Sequence, residues 1–207
     1  MTEYPLGTVP WAQPPHIKFL SKPTKAVLMH TLEDTSALKS PDIDQEHIHI
    51  IDGNAVYHAL HVPDLTGTFG ELTSRIFCAL PKVAKVHFLT ENYREDSIKS
   101  LERIPREESQ TFTVQGSSTK VPKVWKMFLM NGENKKQLAE FLLYEWQQDY
   151  HALMLLKRKV YFACDHQCFV LSNCDGKATD SSPVPYLVSS HEETDTLLIL
   201  HAIYCEH

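Results

Sequence analysis

The run His47-Ile48-His49-Ile50-Ile51 breaks off at Asp52-Gly53-Asn54, and no other stretch restricts the fold as much. A short apolar run closed by a turn signal reads as a buried strand. A second such run, Val83-Ala84-Lys85-Val86-His87-Phe88-Leu89, follows Pro81. Between the two, residues 55–60 have helical character and end before Pro63, while Phe69, Leu72, Ile76, Phe77 and Leu80 recur at helical spacing. Strand, helix and strand joined over so long a connection imply a right-handed parallel crossover, because antiparallel neighbours need only a short hairpin. The expected class is α/β.

The pattern continues along the chain. Residues 96–103 look helical, and 104–122 are polar and read as a loop. Two amphipathic helices are expected over 123–130 and 134–148, split by Asn131-Gly132. Lys159-Val160-Tyr161-Phe162-Ala163 reads as a third strand, with Cys168-Phe169-Val170-Leu171 as a hairpin partner. A Ser/Pro-rich loop then leads to Tyr186-Leu187-Val188, and a last helix is expected from about His191 onward. Ahead of all this, residues 1–45 carry Pro5, Pro10, Pro14, Pro15 and Pro23 and read as an extended lead-in, with Ala26-Val27-Leu28-Met29 offering an edge strand. The folded domain is placed at 46–207.

Composition narrows the class further. Over 207 residues, 43% are hydrophobic and 22% charged, enough for one sizeable core and against wholesale disorder. No apolar run approaches the roughly 18 residues of a membrane span, and the N-terminus lacks signal-peptide architecture, so no membrane association is expected and an intracellular place, nuclear or cytoplasmic, is. Five unevenly spaced cysteines do not make a disulfide framework; Cys78 and Cys205 read as reduced core residues. A net charge of -6 argues against a chain that coats nucleic acid, though not against an enzyme with a local basic groove.

The chemistry lies in the acids. Asp52 ends the first strand and Glu91 follows the second, so both stand at the carboxyl edge of the sheet, where open α/β folds bind ligands. Glu193 and Asp195 open the last helix behind Ser190, a candidate N-cap. Carboxylates converging on one point repel one another unless a divalent cation neutralises them, and magnesium or manganese among oxygen ligands suits activation of water against a phosphodiester. Each acid also has an ordinary explanation. Asp52-Gly53-Asn54 is a strand-ending turn, Glu91 a solvated loop residue, and Ser190-His191-Glu192-Glu193 a capping box.

The strand ending in Asp52-Gly53, the segment Glu91-Asn92-Tyr93 with Ser97-Ile98-Lys99 to Arg103, and the run Ser189-Ser190-His191-Glu192-Glu193-Thr194-Asp195-Thr196 resemble a PIN-like group. That group is common among mobile-element-associated animal proteins and is related in fold to flap endonucleases. The resemblance covers about 45–205 and implies a parallel-sheet, three-layer α/β/α domain with a helical insertion at about 104–158. It implies a metal-dependent nuclease acting on nucleic acid, with Asp52, Glu193 and Asp195 as ligands of Mg2+ or Mn2+ and Glu91 as a further catalytic acid. Lys99 and Arg103 would approach the scissile phosphate, and Lys120, Lys123, Lys126, Lys135 and Lys136 would meet phosphates from the insertion. The alternative is a catalytically inactive interaction module derived from a mobile-element protein. The family usually has Asp where Glu91 stands, and it continues past its last helix into a strand ending in Asp-x-Asp. The chain stops at His207, so a domain without that last strand, and with an incomplete second metal position, is expected.

Other chemistries find less support. Cys164, His166, Cys168 and Cys174 match no closed zinc module and read as incidental thiols on a strand–turn–strand. No nucleophile elbow, P-loop or dinucleotide glycine pattern occurs.

Overall fold

The computed structural model describes residues 47–60, 67–93, 111–191 and 193–206. The chain divides into Met1–Asp42 and Ile43–His207, and every described residue belongs to the second unit. The expected lead-in over 1–45 and the whole of the helix over 96–103, with Lys99 and Arg103, lie outside the described residues.

The first strand, β1 (Ile48–Asp52), runs directly into helix α1 (Gly53–Ala59), because the Asp52 carboxylate accepts the Asn54 amide at 2.9 Å and caps it. Helix α2 (Phe69–Ala79) opens with a capping box between Thr68 and Glu71 and leads to strand β2 (Lys85–Leu89). Helices α3 (Trp125–Met130) and α4 (Gly132–Trp146) meet at Asn131, which ends one and caps the other by accepting from the amides of Glu133 and Asn134. A 3-10 turn (Asp149–Leu155) precedes strand β3 (Lys159–Cys164). Strands β4 (Gln167–Ser172) and β5 (Asp180–Pro183), a 3-10 turn (Pro185–Leu187) and helix α5 (Thr194–Cys205) complete the order.

The five strands lie in sequence order, β1-β2-β3-β4-β5. The first three are parallel, with Ile50, His87 and Tyr161 in register and Asp52, Leu89 and Ala163 in register. The last two are antiparallel, so the sheet is mixed and the expectation of a parallel sheet holds only for its first part. The reason is local: two residues, Asp165 and His166, link β3 to β4, both at positive φ (46° and 67°), and a link that short makes only a hairpin. Strand β5 falls inside the stretch that reads as a Ser/Pro-rich loop. All four of its residues are exposed, so no apolar alternation marks it.

Helices cover both faces. Helices α1 to α4 bury Tyr57, Phe77, Phe128 and Leu138 against Val86, Phe88, Val160 and Phe162. At the centre, Trp146 has no exposed surface, and its ring meets Phe77, Phe88 and Phe162 at centroid distances of 5.0, 5.3 and 5.2 Å. Its indole N–H donates to the Thr73 carbonyl at 3.2 Å. On the other face, Leu197 of α5 packs with Leu187 against Leu89, Tyr161 and Ala163. Neither Cys78 nor Cys205 is a buried core residue, contrary to expectation: Cys78 is exposed and Cys205 partly so. No helix among the described residues is long and apolar enough to cross a membrane.

Gly53 is required by space. A Cβ there would lie 2.6 Å from Phe88 Cε1 and 2.8 Å from the Leu89 carbonyl, and the latter, being backbone, does not yield. Gly53→Ala is expected to cost about 1–3 kcal/mol through overpacking at the β1–α1 junction. An unchanged urea midpoint would refute that close approach.

Candidate functional site

The direction of α5 decides which residues meet. Near its C-terminus, His201 Nδ1 lies 2.7 Å from His87 Nδ1 in the middle of β2, and Cys205 Sγ lies 3.5 Å from His87 Nε2. Ahead of its N-terminus, the His191 carbonyl accepts from Asn92 Nδ2, just beyond β2, at 2.7 Å. Helix α5 therefore runs antiparallel to β2 and starts at the carboxyl edge of the sheet. Asp52, Glu91, Glu193 and Asp195 share that edge.

Asn92, only 3% exposed, holds the edge together. Its carbonyl oxygen accepts from the His166 amide at 2.9 Å while its amide grips His191. Ser189 is tied to His166 through its own amide and carbonyl. These bonds hold the chain over 189–191 out of the helix, which begins later than the sequence suggests. Glu193, not Ser190, occupies the N-cap position, and its side chain makes no capping hydrogen bond. The expected capping box at Ser190 is therefore not formed.

The acids are held by different elements. The Asp52 carboxylate turns to the start of α1, where it accepts from the Asn54 amide at 2.9 Å and lies near Tyr57. Glu91 accepts from the Tyr93 hydroxyl at 3.0 Å and stands 3.6 Å from Lys135 Nζ on α4. Glu193 stands at the N-cap of α5 and Asp195 lies in its first turn. Among the described residues, no three His, Cys, Asp or Glu side chains form a group able to hold one ion. A closed protein shell is not what these residues make. Magnesium is also bound by one or two carboxylates completed by waters and substrate phosphate, a mode that needs no closed shell.

Several buried polar atoms are left without hydrogen-bond partners among the described residues. Asn54, the second residue of α1, is 8% exposed, and neither its amide nitrogen nor its oxygen has a hydrogen-bond partner among the described residues. The hydroxyl of Thr194, between Glu193 and Asp195, is likewise buried and unpartnered, as is that of Tyr57. Burial, with Cys164 and Asp52 nearby, pushes the Tyr57 phenol well above its ordinary range. Asn54, Asn92 and Thr194 fall within motifs read from the sequence, but local pattern assigns none of them a side-chain role.

The basic residues are scattered. Lys136 pairs with Glu140 and Asp165 at 3.9 and 3.6 Å, and Lys135 with Glu91. Lys120, Lys123 and Lys126 are exposed around a groove of about 920 Å³ that runs past Leu60, at the far end of α1 from Asp52. The cysteines do not converge: Cys164 and Cys168 are buried on opposite faces of the sheet, each thiol pushed up to about 12 chiefly by burial, and Cys174 is exposed.

No family model, curated protein or solved structure matches the chain.

Proposed function

We propose that the chain is a metal-dependent nuclease-like domain of PIN-like type that hydrolyses phosphodiester bonds in nucleic acid. The observation that supports this reading is the start of α5 at the sheet edge where β1 ends, so that Asp52, Glu193 and Asp195 belong to the same edge of the sheet. Of these proposed ligands, one or two would hold Mg2+ or Mn2+ directly, with waters and substrate phosphate completing the coordination. Such an ion, once bound, supplies neutralisation of phosphate charge and a water of lowered pKa. The contribution of the chain is placement: Asn92 fixes the approach to α5, and Gly53 lets β1 turn into α1 directly beneath Asp52. Lys99 and Arg103 are the proposed phosphate contacts.

Calorimetry with Mg2+ and Mn2+ tests the reading directly. Asp52→Asn is expected to abolish the binding heat and any cleavage of single-stranded and flap substrates. Cation binding and cleavage that survive Asp52→Asn unchanged would defeat it. A second reading, an inactive interaction module derived from a mobile-element protein, is favoured by the engagement of Glu91 with Lys135 and Tyr93. It predicts neither binding heat nor cleavage in the wild-type chain.

A further inference from the structure

The amino edge of the sheet, opposite the acids, carries positive charge that nothing nearby balances. Ala84 leads into β2 and Arg158 into β3, and a cavity of about 540 Å³ is lined from these approaches, from the end of α2 and from the 3-10 turn before β3. That volume lies within the roughly 300–1,000 Å³ of small-molecule sites. Lys82, Lys157 and Arg158 line the cavity, and no described carboxylate does. Lys135 and Lys136 on α4 each stand beside an acid, whereas none of these three forms an ion pair among the described residues.

Arg158 is half-buried, where a charge without a counter-ion is costly. Its Nη2 donates to the Pro81 carbonyl at 2.9 Å, its Cζ lies 5.9 Å from the centre of the Phe77 ring, and its Nε is buried without a partner. Lys157 is held against its backbone preference. The Arg158 amide donates to the Leu155 carbonyl at 3.0 Å, Leu156 has φ -55° and ψ 125°, and Lys157 has φ 60°. This is a type II turn with lysine at the position that favours glycine. Backbone strain of that kind, at the rim of a cavity, points to a use for the side chain. The ordinary explanation for the cations is the C-terminus of α2, whose free carbonyls attract positive charge. A helix end amounts to only about half an elementary charge, enough to account for one cation there and not for three.

We infer that this cavity binds a small phosphate monoester, with Arg158, Lys157 and Lys82 on the phosphate and Val83, Met154 and Leu156 against the organic part. A phosphate monoester carries a charge of about -1.5 to -2 near neutral pH and three acceptor oxygens. A guanidinium fork beside two ammonium groups suits that dianion better than a singly charged carboxylate. The site lies at the opposite ends of the strands from Asp52, so it does not rest on the cation reading above.

Phenyl phosphate is the probe. Calorimetry is expected to show one molecule bound per chain, with inorganic phosphate weaker by about tenfold or more because it leaves the apolar wall empty. Arg158→Lys, which keeps the charge and loses the fork, is expected to weaken the probe about tenfold. Lys157→Gly is expected to weaken it similarly while melting no lower than the wild type, since glycine accepts the turn conformation freely; lost folding would then not explain lost binding. Bound probe is expected to slow iodoacetamide alkylation of Cys78, an exposed thiol on the same cavity, and to leave exposed Cys174 unaffected. Asp52→Asn is expected to bind the probe unchanged, so failure of the metal reading leaves this one standing. A wild-type chain that takes up no phenyl phosphate would overturn the inference. So would inorganic phosphate bound equally well, full binding by both variants, or alkylation of Cys78 that the probe does not slow.

Discussion

As the pH falls from 6.5 toward 4, the domain is expected to lose stability steeply, and the pair His87–His201 is the cause. Both imidazoles are buried between β2 and α5, joined at 2.7 Å through their Nδ1 atoms. His87 is also stacked 4.2 Å from Tyr161 on β3, with Tyr204 and Cys205 of α5 beside it and Lys85 on its own strand. No carboxylate features among these groups, so a proton on either ring gains no counter-charge there. Burial first, then His201 and Lys85, lowers His87 from 6.5 to about 3, and burial lowers His201 to about 4. The sign follows from linkage. Above pH 6.5 both states hold neutral imidazoles and nothing is lost. Below it the unfolded chain takes up protons that the folded chain refuses, so stability falls until the folded values near 4 and 3 are reached. The slope is up to about 1.4 kcal/mol per pH unit for each imidazole. Urea midpoints measured between pH 7.5 and pH 4.5 for the wild type and for His87→Phe/His201→Leu should diverge as a result, the variant giving the flatter curve. Parallel curves would show that the pair does not govern acid sensitivity.

Trp146→Ala is expected to cost about 3–5 kcal/mol, the range for emptying a large aromatic site in a core. That is a large share of the stability of an ordinary domain, about 5–15 kcal/mol. The indole lies between α2 and the sheet, against rings from three elements, and its removal also leaves the Thr73 carbonyl without its donor. Because α4 carries both Trp146 and Lys135, loosening it would also release the contact to Glu91. The check is a lower urea midpoint at constant slope. A loss under about 1 kcal/mol would mean that the surrounding rings collapse into the gap, contrary to their tight mutual packing.

What the sequence discloses depends on how local each cause is. Strands β1, β2 and β3 are legible because β-branched and aromatic runs end at turn residues, and Asn131-Gly132 marks the α3–α4 junction through its own side chain. The β3–β4 hairpin is legible from two adjoining apolar runs, although Asp165 and His166 are unusual at positive φ. Strand β5 is not legible, because an exposed edge segment with the sequence Asp-Ser-Ser-Pro has no buried face to advertise. The start of α5 is misread for a different reason. Ser190 has the right chemistry for a cap, but distant partners, Asn92 and His166, tie its neighbours His191 and Ser189 outside the helix. The acids are readable as residues at one sheet edge. That Glu91 turns toward Lys135 is a contact between elements more than 40 residues apart, and no local pattern carries it.

The sequential strand order has a consequence for how the chain is made. Each strand lies beside its immediate predecessor, so a chain emerging from the ribosome can extend its sheet edgewise in the order of synthesis, without threading a strand between two already paired. The helices that cover one face emerge between the strands and arrive with them. The other face waits. Until α5 follows, Leu89, Tyr161, Ala163 and His87 lack the only α-helix among the described residues that packs on their face, with Leu187 alone of the preceding turn against them. That interval is when the nascent domain is most open to association with its neighbours. The helix that bears half of the proposed acidic site is also the one whose arrival closes that interval.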